Sequence, residues 1–216
     1  LGFYEANSVG DDIELNQNNN VLTTFNMLRQ QELRKDDTYR SLSDYIAPKG
    51  TQKDYVGMFI VTAGIKAEES AKIFTDKYDD YSALMLKLIA DRLVEATSEY
   101  LHKEVRTNLW GYAKDENLTM EEIHQVKYSG IRPAIGYPSL RDHSEKTKVF
   151  EVLNGSEIGV ELTENYMMIP NASECGLYFA NKASMYFDIN KIDQDQLNSY
   201  QQRHRMKVED VKKNLN

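Results

Sequence analysis

The chain has 216 residues, 41% of them hydrophobic and 28% charged, and a formal net charge of −8. That length buries a substantial core in one large domain or two small ones. The acidic balance argues against a nucleic-acid partner, which needs clustered Lys and Arg, and no apolar run of about 18 residues offers a membrane span. Cys175 is the single cysteine, which excludes an internal disulfide and a cysteine-based zinc cluster and fits a reducing cytoplasm.

In chain order, Phe3–Ala6, Asp12–Leu15 and Val21–Met27 alternate as short strands, with a polar turn at Asn16–Asn20. Asp54–Thr62 is rich in β-branched and aromatic residues and ends near Gly64, so it reads as a central strand. Ala67–Lys77 predicts a short helix and Asp79–Trp110 a long one, closed by Gly111. Along the long helix Leu86, Ile89, Leu93, Ala96 and Tyr100 recur at intervals of three and four, which predicts a core-facing stripe. Leu101, Val105 and Leu109 broaden it, while Asp91, Glu95, Glu99 and His102 read as the solvated face.

Thr119 and Glu122 stand at capping-box spacing, so a helix is expected over Thr119–Gln125. A further helix is expected over Ser144–Leu153, then strands at Ile158–Met168, Gly176–Ala180 and Met185–Ile189. Helices at Gln194–His204 and Val208–Leu215 close the chain. Strands, then helices, then strands imply an α+β class, with a twisted, mostly antiparallel sheet and flanking helices. No GxGxxG, P-loop or nucleophile elbow is present, which disfavours a doubly wound nucleotide fold. His102, His124, His143 and His204 lie far apart, without metal-ligand spacing.

The most informative segment is Gly130–Lys146, GIRPAIGYPSLRDHSEK. Pro133 and Pro138 each fix φ and lack an N–H, so it is neither an ordinary helix nor a central strand. Gly136 suits a sharp turn or a close approach. Arg132 offers a planar fork for a carboxylate, and Tyr137 adds a flat face with a polar tip. On this chemistry the segment suits a small amphoteric molecule, although a structural turn is the commoner use of such a loop.

Taken together, the residues resemble the C-terminal S-adenosylmethionine-binding, or activation, domain of cobalamin-dependent methionine synthase. The resemblance rests on Val9–Glu14, Leu28–Gln31, Asp44–Pro48, Ala90–Ala96, Trp110–Ala113, Gly130–Ala134 with Gly136–Pro138, His143 with Glu145 and Lys146, Leu162–Glu164, and Gly176 with Tyr178 and Phe179. It implies one domain over residues 1–216, cut from a longer polypeptide on its N-terminal side. It also implies reductive methylation of cob(II)alamin to methylcobalamin. The methyl comes from S-adenosylmethionine, the electron from flavodoxin or a diflavin reductase, and cobalamin is held by a neighbouring module of the same polypeptide. The alternative is a non-catalytic S-adenosylmethionine-binding or docking module.

By the resemblance, Arg132 grips the ligand carboxylate, and Ala134, Gly136 and Tyr137 supply backbone contacts and a wall. Tyr186 and Phe187 line the ligand site, Glu95 lies close to the ligand, and Asp91 meets the cobalamin module. Phe187 replaces a second tyrosine, and Val126 stands where some members carry a glutamate. The family aspartate for the ligand's amino group would lie upstream of Leu1, so weaker binding by about 1–3 kcal/mol is expected of these 216 residues alone. No catalytic residue in the acid–base sense is expected, because methyl transfer from sulfur to cobalt needs position rather than protons.

Overall fold

The computed structural model describes residues 1–18, 20–32 and 37–215. Strand β1 (Gly2–Val9) turns through Gly10 and Asp11 into β2 (Asp12–Gln17), with Val9 paired to Asp12. Gly10 has φ +60°, the left-handed conformation that a two-residue hairpin turn demands of its first residue. Strand β3 (Asn20–Asn26) pairs with β2, and β4 (Asp54–Thr62) pairs with the other edge of β1. A later strand, β7 (Ser173–Tyr178), completes the sheet, whose order is β3-β2-β1-β4-β7 with every pairing antiparallel. Asn19, in the expected polar turn, lies outside the described residues.

Strand β4 is continuously apolar from Val56 to Val61 because both of its faces are covered there. Met58 and Ile60 point into the larger core with Ile13, Leu15, Phe25 and Val149, whereas Phe59 and Val61 meet Ala90 and Val94 on the other side. The latter two belong to α2 (Asp80–Glu104), which follows α1 (Ala67–Thr75). Asp79 caps α2, its carboxylate accepting the Ser82 N–H at 3.0 Å. A wide π turn at Val105–Leu109 ends the helix, and Gly111 leaves it with φ +73°.

Of the stripe expected to face the core, only Val105 and, in part, Leu101 do so. Ile89, Leu93 and Tyr100 are 50%, 54% and 64% exposed, and Leu109 is exposed too. The buried face instead carries Ala83, Ala90, Val94, Ser98 and His102, continuing into Val105. Small side chains let the helix axis approach the aromatic face of β4 and β7, and bulky leucines on that face would hold it off. His102, read as solvated, is therefore fully buried.

Thr119 and Glu122 form a reciprocal capping box at the start of α3 (Met120–His124). After a short 3₁₀ turn at His143–Glu145 comes α4 (Lys146–Leu153). The single strand expected over Ile158–Met168 is instead a small hairpin, β5 (Glu161–Leu162) and β6 (Met168–Ile169). Its turn is closed by the Thr163 N–H donating to Met167 O at 2.9 Å while the Met167 N–H meets the Thr163 hydroxyl. Strand β7 (Ser173–Tyr178) follows. Residues Met185–Ile189 form no strand: the Ile189 N–H goes to Pro138 O, and the Met185 carbonyl accepts the Tyr45 hydroxyl. Helices α5 (Gln194–His204) and α6 (Val208–Leu215) pack against the larger core through Leu197, Tyr200, Val211 and Leu215. Among the described residues no helix is long and apolar enough to cross a membrane.

Candidate functional site, a cleft between the long helix and the Arg132 loop

A cleft of about 910 Å³ runs between α2, α3 and the proline-bracketed loop. Its walls include Glu95, Ala96, Glu99 and Tyr100 from α2, Arg132, Ala134 and Tyr137 from the loop, Glu174 from β7, and Tyr186 and Phe187. Six of the residues singled out in the sequence thus meet in one place: Glu95, Arg132, Ala134, Tyr137, Tyr186 and Phe187. Gly136 faces an adjoining recess with His143 and Lys146. Asp91 lines a separate groove between α1 and α2. Val126 is exposed and outside the cleft wall.

The loop is held to the sheet by backbone bonds. Ile131 exchanges two hydrogen bonds with Phe179, each 3.0 Å, and the Ile135 N–H donates to Cys175 O. Gly136 has φ +100°, and a Cβ there would come within 2.6 Å of the His143 ring, so the bend excludes any side chain. Cys175, beneath the loop, has its thiol pushed up to about 12 by burial and is inert as a nucleophile.

Arg132 does not offer an unencumbered fork. Nη1 donates to Glu174 at 2.8 Å and Nη2 to Glu99 at 3.4 Å, and the side chain is largely buried. Burial opposes its charge, but Glu174, Tyr186 and Glu99 outweigh that and hold its pKa above the ordinary value. Its Nε is buried without a hydrogen-bond partner, and Oε1 of Glu99, which also accepts no hydrogen bond, lies 4.0 Å from Arg106 Nη1. Arg132, Glu99 and Glu174 thus set one cation between two carboxylates in the cleft wall. Tyr186 is half-exposed, and its Oη accepts the Arg132 N–H at 2.9 Å and lies 3.3 Å from the Tyr128 hydroxyl. Phe187 is buried, packing edge-on to Tyr45. Glu95 is exposed and paired with Arg92 at 2.8 Å.

Two cleft residues, Glu99 and Glu174, do not stand out in the sequence. Glu99 was visible as a member of the His102 face, three residues from it, but that face had been given to solvent. Glu174 carries no local signal, because only the pairing of β4 with β7 brings it to the cleft.

Residues 1–205 match the family described as vitamin B12 dependent methionine synthase, activation domain. The chain belongs to that family. It is also similar to the crystal structure of the MetH reactivation domain bound to AdoHcy, with 41% sequence identity and a TM-score of 0.95. That match covers 99% of this chain and 67% of that one. The activation domain thus has the fold of the reactivation domain, a five-stranded antiparallel sheet with flanking helices. It is part of a methyltransferase family, and cobalamin belongs to other modules of that enzyme.

Proposed function

We propose that the cleft binds S-adenosylmethionine and presents its methyl group to cobalamin on the neighbouring module during reactivation. The observation that carries this is the Arg132 guanidinium held between Glu99 and Glu174, in a cleft flanked by the Tyr186 ring. The AdoHcy-bound relative supports it, since AdoHcy is the product left when that methyl departs. Arg132 takes the carboxylate, Ala134 and Tyr137 form the floor and wall, and Gly136 lets the bend close. Tyr186 places an aromatic face near the sulfonium, worth roughly 0.5–2 kcal/mol. Phe187 packs behind it, Glu95 adds negative charge at the rim, and Asp91, outside the cleft, serves the interface with the cobalamin module.

Cobalamin supplies the reduced cobalt that accepts the methyl. The carbon–sulfur bond breaks and its electron pair remains on sulfur, giving a neutral thioether, so no proton moves. What the chain contributes is binding and orientation. That agrees with a cleft built from an ion-pair network rather than an acid–base dyad. The parent enzyme on this reading is the cobalamin-dependent 5-methyltetrahydrofolate–homocysteine methyltransferase. The electron comes from flavodoxin or a diflavin reductase, and the 216-residue chain alone is inactive in the main reaction. Isothermal titration with S-adenosylmethionine tests the reading. Saturable binding at one site per chain, competed by AdoHcy, is expected. An absence of heat with both ligands removes it.

A further inference from the structure

Behind the cleft lies an ion pair, Arg106 with Glu116, that reaches the cleft wall through Glu99, whose Oε1 lies 4.0 Å from Arg106 Nη1. The π turn after α2 directs Arg106 inward, with the Trp110 and Gly111 N–H groups both donating to Val105 O at 3.0 Å. Widened turns of this kind mark functional positions in helices. Arg106 is 1% exposed, and its Nε donates to Glu116 at 2.5 Å. The other oxygen of Glu116 accepts the Ser129 N–H at 3.2 Å. The Arg106 guanidinium also lies 4.4 Å above the Tyr128 ring.

Those two contacts grip the stretch that leads into Arg132. Tyr128 passes its hydroxyl to Tyr186, and Tyr186 in turn accepts the Arg132 N–H. Gly130, at φ +80°, allows close passage, since a Cβ there would come within 2.4 Å of Phe179 O. Burying a charged pair contributes little net stability compared with an apolar pair of similar shape. Its geometry, by contrast, fixes two groups at once, a backbone N–H and an aromatic plane.

We propose that Arg106 and Glu116 are positioning residues for ligand binding: together they hold Tyr128 to Arg132 and Tyr186 in the arrangement that receives the methyl donor. The inference rests on the cleft being the S-adenosylmethionine site. The test uses the full-length holoenzyme carrying Arg106→Met with Glu116→Leu, so that both charges of the pair leave together while Glu99 keeps Arg132 as its partner. In reductive methylation the KM for S-adenosylmethionine should rise at least tenfold while the saturating rate stays within twofold. A purely structural role would lower the rate through loss of active protein and leave KM alone, and that result overturns the proposal. Should the double variant fail to fold, Tyr128→Phe decides, because it keeps the ring over Arg106 and deletes only the hydroxyl facing Tyr186. Calorimetry should then show affinity lower by at least threefold, and an unchanged affinity sinks the idea. If the wild-type enzyme itself binds no S-adenosylmethionine, the reading of the cleft has failed and not this inference.

Discussion

Two buried polar clusters sit on opposite sides of the sheet, and they are finished to different degrees. In the one joining β3, α4 and α5, Asp142 accepts from Tyr200 at 2.8 Å and from the Ser144 hydroxyl at 2.6 Å. Glu145, fully buried, meets Lys148 at 2.7 Å, His204 at 2.9 Å and the Asn26 N–H at 3.3 Å. In the one behind the cleft, Ser98, Glu99, His102, Arg106, Ser129, Arg132 and Tyr178 each keep a buried polar atom without a protein hydrogen bond, Glu99 Oε1 and Arg106 Nη1 meeting only as an ion pair at 4.0 Å. Unanswered buried polar atoms are costly. A closed network supports the fold, and the looser one borders the cleft.

The contrast can be broken at either end. Glu145→Ala strands Lys148 and His204 at once and should cost about 3–5 kcal/mol in urea unfolding, with S-adenosylmethionine affinity of the folded fraction unchanged. A loss below 1 kcal/mol, on the order of a surface pair, would show that the finished cluster is not what holds those elements together. The second handle is pH. His102 has its pKa lowered from 6.5 to about 2, by burial first and then by Arg106 and Arg132. The unfolded chain therefore takes up the proton first, so stability falls as pH drops below 6.5. Between pH 7 and pH 5 the loss should be about 2 kcal/mol from this group, and His102→Gln should flatten that part of the slope. A slope identical in the variant would contradict the buried, neutral imidazole.

Smaller effects sharpen the functional side. Arg132→Ala should weaken S-adenosylmethionine binding at least tenfold, about 1.4 kcal/mol by calorimetry, whereas the same titration of Glu145→Ala should be normal. Tyr186→Phe keeps the ring but removes the acceptor for the Arg132 N–H, for an expected change of about 0.5–1.5 kcal/mol. Affinity that does not move in either variant would detach this wall from the ligand.

The short strands of the sheet, the capping box at Thr119 and the irregular Arg132 loop were all legible, because each carries a local signal. The covered face of α2 was not. Periodicity reports that a helix has an apolar side but not that its smaller side chains are the ones pressed to the sheet, and here Ala90 and Val94 win over Ile89 and Leu93. That inversion also hid Glu99 and His102. The strand expected at Met185–Ile189 failed for a related reason: β-forming residues need a partner edge, and Pro138 takes the bond that a neighbouring strand would have made. Arg132, Ala134, Tyr137, Tyr186 and Phe187 were brought to the cleft by family resemblance more than by spacing. Tyr186 lies 54 positions along the chain from Arg132.

The outward-facing leucines and tyrosines of α2 carry a practical corollary for anyone handling these residues in isolation. An apolar ridge of that extent encourages self-association on concentration, so turbidity or a rising sedimentation coefficient would originate there and not at the sheet. Ile89→Lys with Leu93→Glu would roughen the ridge while leaving Ala90 and Val94 seated, giving a more soluble preparation for calorimetry.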